Sequence, residues 1–327
     1  MQPVITHIAT KGGIRSFVNT NARGQGLGYP VQSVLYSDLL KRESWPRGLY
    51  LFCDMERATP WQRALGAHLW RRLNEQPEVF RTLNHPTNHM RRFELLRRLY
   101  EREINGFNVY RLSELPAPVR YPAFVRYEDR HIGPSSGLLQ TQAELEDKLA
   151  QLIGEGHPPE RLIVCEFQDT SDSSGVFRKF GAFRIGDHIQ AGHMMAGADW
   201  SLKSKCNDRR IACHEDLEYV KANPHAAQVR EIFEICGLEW GRMDYGVSNG
   251  KIQVWEINDN PKLGSKWYRR SLGRGEARRI SRASRRLGFA RAMRGLEPGP
   301  PVSLRLATNW VWKSLGVRKE TDEPVVG

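Results

Sequence analysis

The feature that most constrains this chain is the stretch from Gly241 to Pro261, which reads GRMDYGVSNGKIQVWEINDNP. β-formers fill both arms and Asn249-Gly250 sits between them, the pattern of a hairpin. Side chains alternate along a strand, so Glu256 and Asn258 share a face with Ile252 and Val254. Asp244 joins them in only one register. A two-residue Asn249-Gly250 turn pairs Ser248 with Lys251 and sets Asp244 opposite Trp255. A three-residue loop, Ser248-Asn249-Gly250, moves the pairing by one residue, which exchanges the two faces. Asp244, Glu256 and Asn258 then line one side, with Gly250 left-handed at a bulge. The three-residue loop is the expectation. Two carboxylates and an amide oxygen on one strand face suit a hard cation such as Mg²⁺, shared with substrate phosphates. The plain alternative is a half-polar hairpin facing solvent.

The chain has 327 residues, enough for two or three packed lobes. No apolar run approaches the roughly 20 residues needed to cross a bilayer. The N-terminus shows no signal-peptide pattern. Five scattered cysteines without a Cys-x-x-Cys pair argue for a reducing compartment and against a zinc site. These features give a cytoplasmic expectation. Of the net charge of +12, residues 265–327 hold most, with 15 Lys+Arg against 5 Asp+Glu. The body is nearly neutral and the basicity belongs to the tail.

In chain order, residues 1–55 carry three short apolar runs of strand type and suggest a small α/β lobe. Thr59-Pro60 starts a helix with Leu65, Leu69 and Leu73 in its stripe. A second helix is expected over Thr87 to Glu103, with Arg91 and Arg92 near its start as surface arginines. Then follow an extended segment containing Arg126, a Gly/Ser-rich loop with Ser135 and Ser136, and a Thr141-capped helix. A buried-type strand ends at Glu166, followed by Phe167, Gln168 and Asp169. His188 and His193, five apart on one strand, are expected on opposite faces. Trp200-Ser201-Leu202-Lys203 and a helix after Asn223-Pro224 lead into the hairpin.

The run GRMD, then EINDNP, resembles the metal-binding end of the ATP-grasp superfamily, which includes D-alanine–D-alanine ligase, glutathione synthetase and the ligase that adds glutamates to a ribosomal protein. The other parts stand in the family's order across about residues 85–264. The resemblance implies an α/β (α+β) ATP-grasp fold with a small N-terminal lobe (1–84), an ATP-grasp domain of two lobes closing on ATP (85–264) and a basic helical C-terminal arm (265–327). It implies Asp244, Glu256 and Asn258 as ligands of two Mg²⁺ ions, with Mn²⁺ an alternative. Arg242, Lys203 and Arg126 become phosphate contacts, with Lys205 in place of Lys203 if the register slips, and residues 130–137 a lid with Ser135 and Ser136. Glu166 with the Phe167–Gln168 backbone becomes the adenine edge, and Asp169 a ribose contact. Arg126 departs from the family's usual lysine, which keeps the charge and changes the geometry. Expected chemistry is ATP-dependent ligation of a small-molecule or peptide carboxylate to a nucleophile. A phosphotransferase on the same fold and a nucleotide-binding scaffold are the alternatives. For the tail three readings stand: a helical arm packed on the body, a contact with anionic membrane through Trp310, Trp312 and neighbouring basic residues, and nucleic acid.

Overall fold

The computed structural model describes residues 1–17, 26–130, 133–202, 208–263 and 275–306. By contacts the chain divides into two units, Met1–Asn88 with Phe289–Gly327, and His89–Gly288. The tail is not set apart: it divides at Gly288/Phe289 between the two units.

The first unit begins with β1 (Val4–Ala9), β2 (Val31–Leu35), β3 (Ser44–Trp45) and β4 (Gly48–Phe52). The first helix, α1 (Pro60–Asn74), leads to β5 (Phe80–Leu83). The main sheet is parallel in the order β2-β1-β4-β5. The helix starts where the sequence places it. Thr59 Oγ1 accepts from Gln62 N while Gln62 Oε1 accepts from Thr59 N, a reciprocal cap with Pro60 at the first turn. Leu65, Leu69 and Leu73 bury against Tyr50, Phe52 and Phe80.

The second unit holds two sheets. After α2 (Arg92–Glu101) come β6 (Val109–Arg111), β7 (Ala123–Tyr127), α3 (Gln142–Gly154) and β8 (Leu162–Glu166). The strands form an antiparallel sheet in the order β6-β8-β7. Alternation divides its faces. Ala123, Val125, Tyr127, Leu162 and Val164 pack under Leu145, Leu149 and Leu152 of α3. Phe124, Ile163 and Cys165 join Leu96 of α2, Phe107, Trp200 and Trp255 on the other side.

The second sheet runs β10-β9-β11-β12, all antiparallel. Its strands are β9 (Phe177–Ile185), β10 (His188–Gly197), β11 (Trp240–Ser248) and β12 (Lys251–Asn258). Between β10 and β11 run α4 (Arg209–Ala222), which the sequence reading missed, and α5 (Ala226–Ile235). Tyr219 of α4 stacks near Phe180 and shares a hydrogen bond with Tyr245, which also bonds His225 Nδ1. Tyr219 and Tyr245 are buried, and His225 is half-buried beside them. The last helix, α6 (Gly275–Ala292), spans the unit boundary. It buries Ala277, Ser281 and Arg285 and exposes Arg279, Arg282 and Arg286. Arg285 lies over the Phe183 ring and its pKa falls to about 10 through burial and the nearby Arg282.

The chain then returns to the first unit. A short β13 (Val302–Ser303) pairs antiparallel with β3, and Trp45 Nε1 donates to the carbonyl of Leu304. Leu304 and Leu306, which precede the tryptophans of the tail, are core residues here. The residues after Leu306, including Trp310, Trp312 and Lys313, lie outside the described residues. Among the described residues no helix is long and apolar enough to cross a membrane.

Candidate active site

The site is built on the hairpin of β11 and β12. Ser248 pairs with Lys251, so the turn is the two-residue Asn249-Gly250, not the expected three-residue loop. Both turn residues are left-handed, with φ of 50° and 74°, as a type I′ turn requires. Asp244 nevertheless faces Glu256, because the register shifts between Asp244 and Tyr245. The extra residue is Trp255, absorbed as a bulge within β12 rather than in the loop. Two contacts hold it there. The Asn105 side chain accepts from Val254 N at 2.8 Å and donates to Val254 O at 3.2 Å, acting as a short substitute strand on the sheet edge. Trp255 itself packs on Phe107. Directly opposed residues share a face, so Arg242, Asp244, Glu256 and Asn258 all point to one side.

The neighbouring strands extend that face. Gly181 of β9 lies opposite Asp244, which puts Lys179 beside it. A Cβ at Gly181 would stand 2.3 Å from the His193 ring, so only glycine lets His193 lie across the strand. A bulge between Ala191 and His193 places His193 and His188 on the same face, contrary to the expected alternation. They still do not meet functionally: His188 Nε2 bonds Ser284 of α6.

Lys179, His193, Arg242, Asp244 and Glu256 line a cavity of about 450 Å³ that also has Arg126 of β7 on its wall. Its apolar lining comes from Phe124, Phe167, Phe177, Met195, Trp200 and Leu202. Trp200 packs on Phe124 and edge-on to Phe167. Gly133 and Pro134 close one side, and Pro134 bridges back to Arg126.

The charged groups are crowded. Asp244 Oδ1 accepts from Arg242 Nε at 2.8 Å, and Asp244 Oδ2 takes Lys179 Nζ at 2.9 Å. Burial raises its pKa, but Arg242 and Lys179 outweigh burial and hold it down to about 2. Glu256 Oε2 takes Arg92 Nη2 at 2.5 Å and Arg126 Nη2 at 3.2 Å. Arg92, read from sequence as a surface residue, is in fact buried. Its Nη1 donates to the carbonyls of Tyr127, Glu128 and Arg130. The pKa of Arg126 falls through burial and the nearby Arg92, partly offset by Glu256. Four cations thus surround two carboxylates. The excess is positive, which suits a polyanion.

The other expected site residues are distributed as follows. Glu166 sits on the α3 face of β8 by strand alternation, away from the cavity. Its carboxylate accepts from Asn108 N, Arg120 N and the Tyr110 hydroxyl. Phe167 and Gln168, on the next residues, do line the cavity. Asp169 is engaged by Ser171 N and Oγ. Ser136 Oγ accepts from Val125 N and Ser135 N donates to Val125 O, so both serines tie the loop to β7. Asn258 Oδ1 accepts from Asn260 N at 2.8 Å. Lys203 and Lys205 lie outside the described residues.

Sequence reading missed Lys179 and Arg92. Lys179 was visible as one of several basic residues alternating along 177–185, but only strand pairing puts it on Asp244. Among the described residues no three His, Cys, Asp or Glu side chains are grouped as a metal site. The oxygen set of Asp244, Glu256 and Asn258 nonetheless fits a hard divalent ion in donor chemistry and in sharing one face. Its carboxylates already hold cationic side chains, with which an ion must compete.

No protein-family model matches the sequence, and no curated protein matches it. Solved structures do. The D-alanine–D-alanine ligase of Bacillus anthracis in complex with ATP is 10% identical, covering 90% of this chain and 99% of that one, with a TM-score of 0.49. A RimK domain ATP-grasp protein of Sphaerobacter thermophilus is 14% identical over 86% of this chain and 98% of its own, with a TM-score of 0.42. The D-cycloserine synthetase DcsG is 14% identical over 87% and 99%, with a TM-score of 0.41.

Proposed function

We propose that this chain is an ATP-dependent ligase of the ATP-grasp type, joining a carboxylate to an amine, thiol or hydroxyl through an acylphosphate. The observation that carries the reading is one cavity lined by both aromatic rings and cationic side chains, with Asp244 facing Glu256. A flat base suits the apolar walls at Phe124, Phe167 and Trp200, with the main chain at Phe167–Gln168 on its edge. A triphosphate suits Arg126, Lys179 and Arg242.

Asp244, Glu256 and Asn258 would hold Mg²⁺, which when bound supplies positive charge between the phosphates. The chain's own groups do the rest. A substrate carboxylate and the γ-phosphate repel: two like unit charges 4 Å apart cost about 4 kcal/mol at an effective dielectric of about 20. That is roughly a thousandfold in rate. Arg126, Lys179 and Arg242, each carried to the cavity by its strand, offset this repulsion. The carboxylate oxygen then bonds to the γ-phosphorus as the bond to the bridging oxygen of ADP breaks. The nucleophile attacks the acyl carbon, phosphate leaves, and the nucleophile's proton passes to it. The loop at 133–137, tied to β7 through Ser135 and Ser136, helps keep water from the acylphosphate.

The test is ADP release from Mg-ATP across a panel of carboxylates and amines, with hydroxylamine present to trap an acylphosphate. Hydroxamate with ADP supports ligation. ADP with a phosphorylated hydroxyl and no hydroxamate identifies a phosphotransferase and contradicts the ligase reading.

A further inference from the structure

This inference rests on reading the cavity as a Mg-ATP site and concerns how many ions it takes. Three side chains hold two divalent ions most compactly when one carboxylate bridges them, waters and phosphate oxygens completing each shell. Glu256 lies opposite Asp244 and two residues before Asn258, so it is the carboxylate placed to be shared. One of its oxygens already carries two guanidinium groups, those of Arg92 and Arg126.

Neither arginine is a casual neighbour. Arg92 is 5% exposed and Arg126 is 9% exposed. Arg92 is fastened by three main-chain carbonyls, so withdrawing it would strand buried acceptors. Arg126 lies on the cavity wall, and its buried Nε–H has no acceptor among the described residues. Two buried guanidinium groups meet on one carboxylate oxygen, and among the described residues Arg126 Nε–H beside it has no acceptor. A phosphate oxygen arriving in the cavity would supply that acceptor and further negative charge. A second divalent ion on Glu256 would instead add two charges beside two existing cations.

We propose that the Arg92–Arg126 pair takes the place of one of the two divalent ions, so that the chain binds its nucleotide with a single Mg²⁺ on the Asp244 side. The presence of arginine at position 126, rather than the more compact lysine, then has a physical use. Its fork reaches Glu256 and a phosphate at once.

The probe is Mn²⁺ titrated into the full chain with β,γ-methylene-ATP, free ion being counted by electron paramagnetic resonance. The expected count is one ion per bound nucleotide in the wild type and two in both Arg126→Lys and Arg126→Met. Arg92 continues to hold Glu256 in both variants, and a failure of Arg126→Met to fold leaves the other two counts to decide. Two ions of similar affinity in the wild type, or a count of one in either folded variant, overturns the inference and leaves the nucleotide site standing. No nucleotide bound in the wild type overturns both.

Discussion

Replacing Asp244 with Asn tests whether the charge pattern at the hairpin is as tightly balanced as the geometry shows. The carboxylate is buried and is held by Arg242 and Lys179, which bring its pKa from an ordinary 3.8 to about 2. A depressed carboxylate stabilises the fold above its unfolded pKa, and that stability disappears as pH falls through the folded value. The difference amounts to about 2 kcal/mol at neutral pH, and it is lost between about pH 4 and pH 2. Asp244→Asn removes it and leaves two cations facing a neutral amide. Thermal unfolding at pH 7 should show the midpoint about 4–8 °C lower, given roughly 2–4 °C per kcal/mol for a unit of this size. The gap between wild type and variant should close as pH falls toward 2. An unchanged midpoint at pH 7, or a gap that persists at pH 2, would refute the charge balance drawn here.

Lys179→Met removes a charge-assisted contact worth about 1.5–3 kcal/mol, so the Kd for Mg-ATP should rise about 10- to 100-fold by calorimetric titration. Asn105→Ala strips the side chain that pairs with Val254 and should destabilise the fold by about 2–3 kcal/mol in urea, with exchange protection lost at Val254 N. Glu166→Gln should lower the melting temperature, because the carboxylate accepts three hydrogen bonds away from the cavity, while Mg-ATP affinity stays within about threefold. A large affinity loss in that variant would return Glu166 to the nucleotide site.

The parts legible in the sequence were those governed by local rules. The Thr59 cap, the leucine stripe of α1 and the β-rich arms around Asn249-Gly250 all follow from spacing and turn chemistry. The register was not legible, and the reason is instructive. Local turn preference made Asn249-Gly250 a two-residue turn, while tertiary contacts from Asn105 and Phe107 moved the extra residue to Trp255. The sequence rule predicted that one shift was needed to bring Asp244 to Glu256, and placed it at the wrong end of the hairpin. Glu166 was readable by parity: Leu162, Val164 and Glu166 alternate onto the α3 face, whereas Cys165 and Phe167 do not. Arg92 and Lys179 were not readable, since each finds its carboxylate through long-range pairing. The division of the tail between two units depends likewise on distant partners such as Trp45 and Leu304.

The most direct measurement of the central claim is calorimetric titration of Mg-ATP into the wild type and into the Asp244→Asn, Glu256→Gln double variant. One nucleotide should bind per wild-type chain, and the double variant should bind at least 100-fold more weakly while remaining folded by circular dichroism. Absence of binding to the wild type, or equal affinity in both, would contradict the assignment of this cavity to ATP.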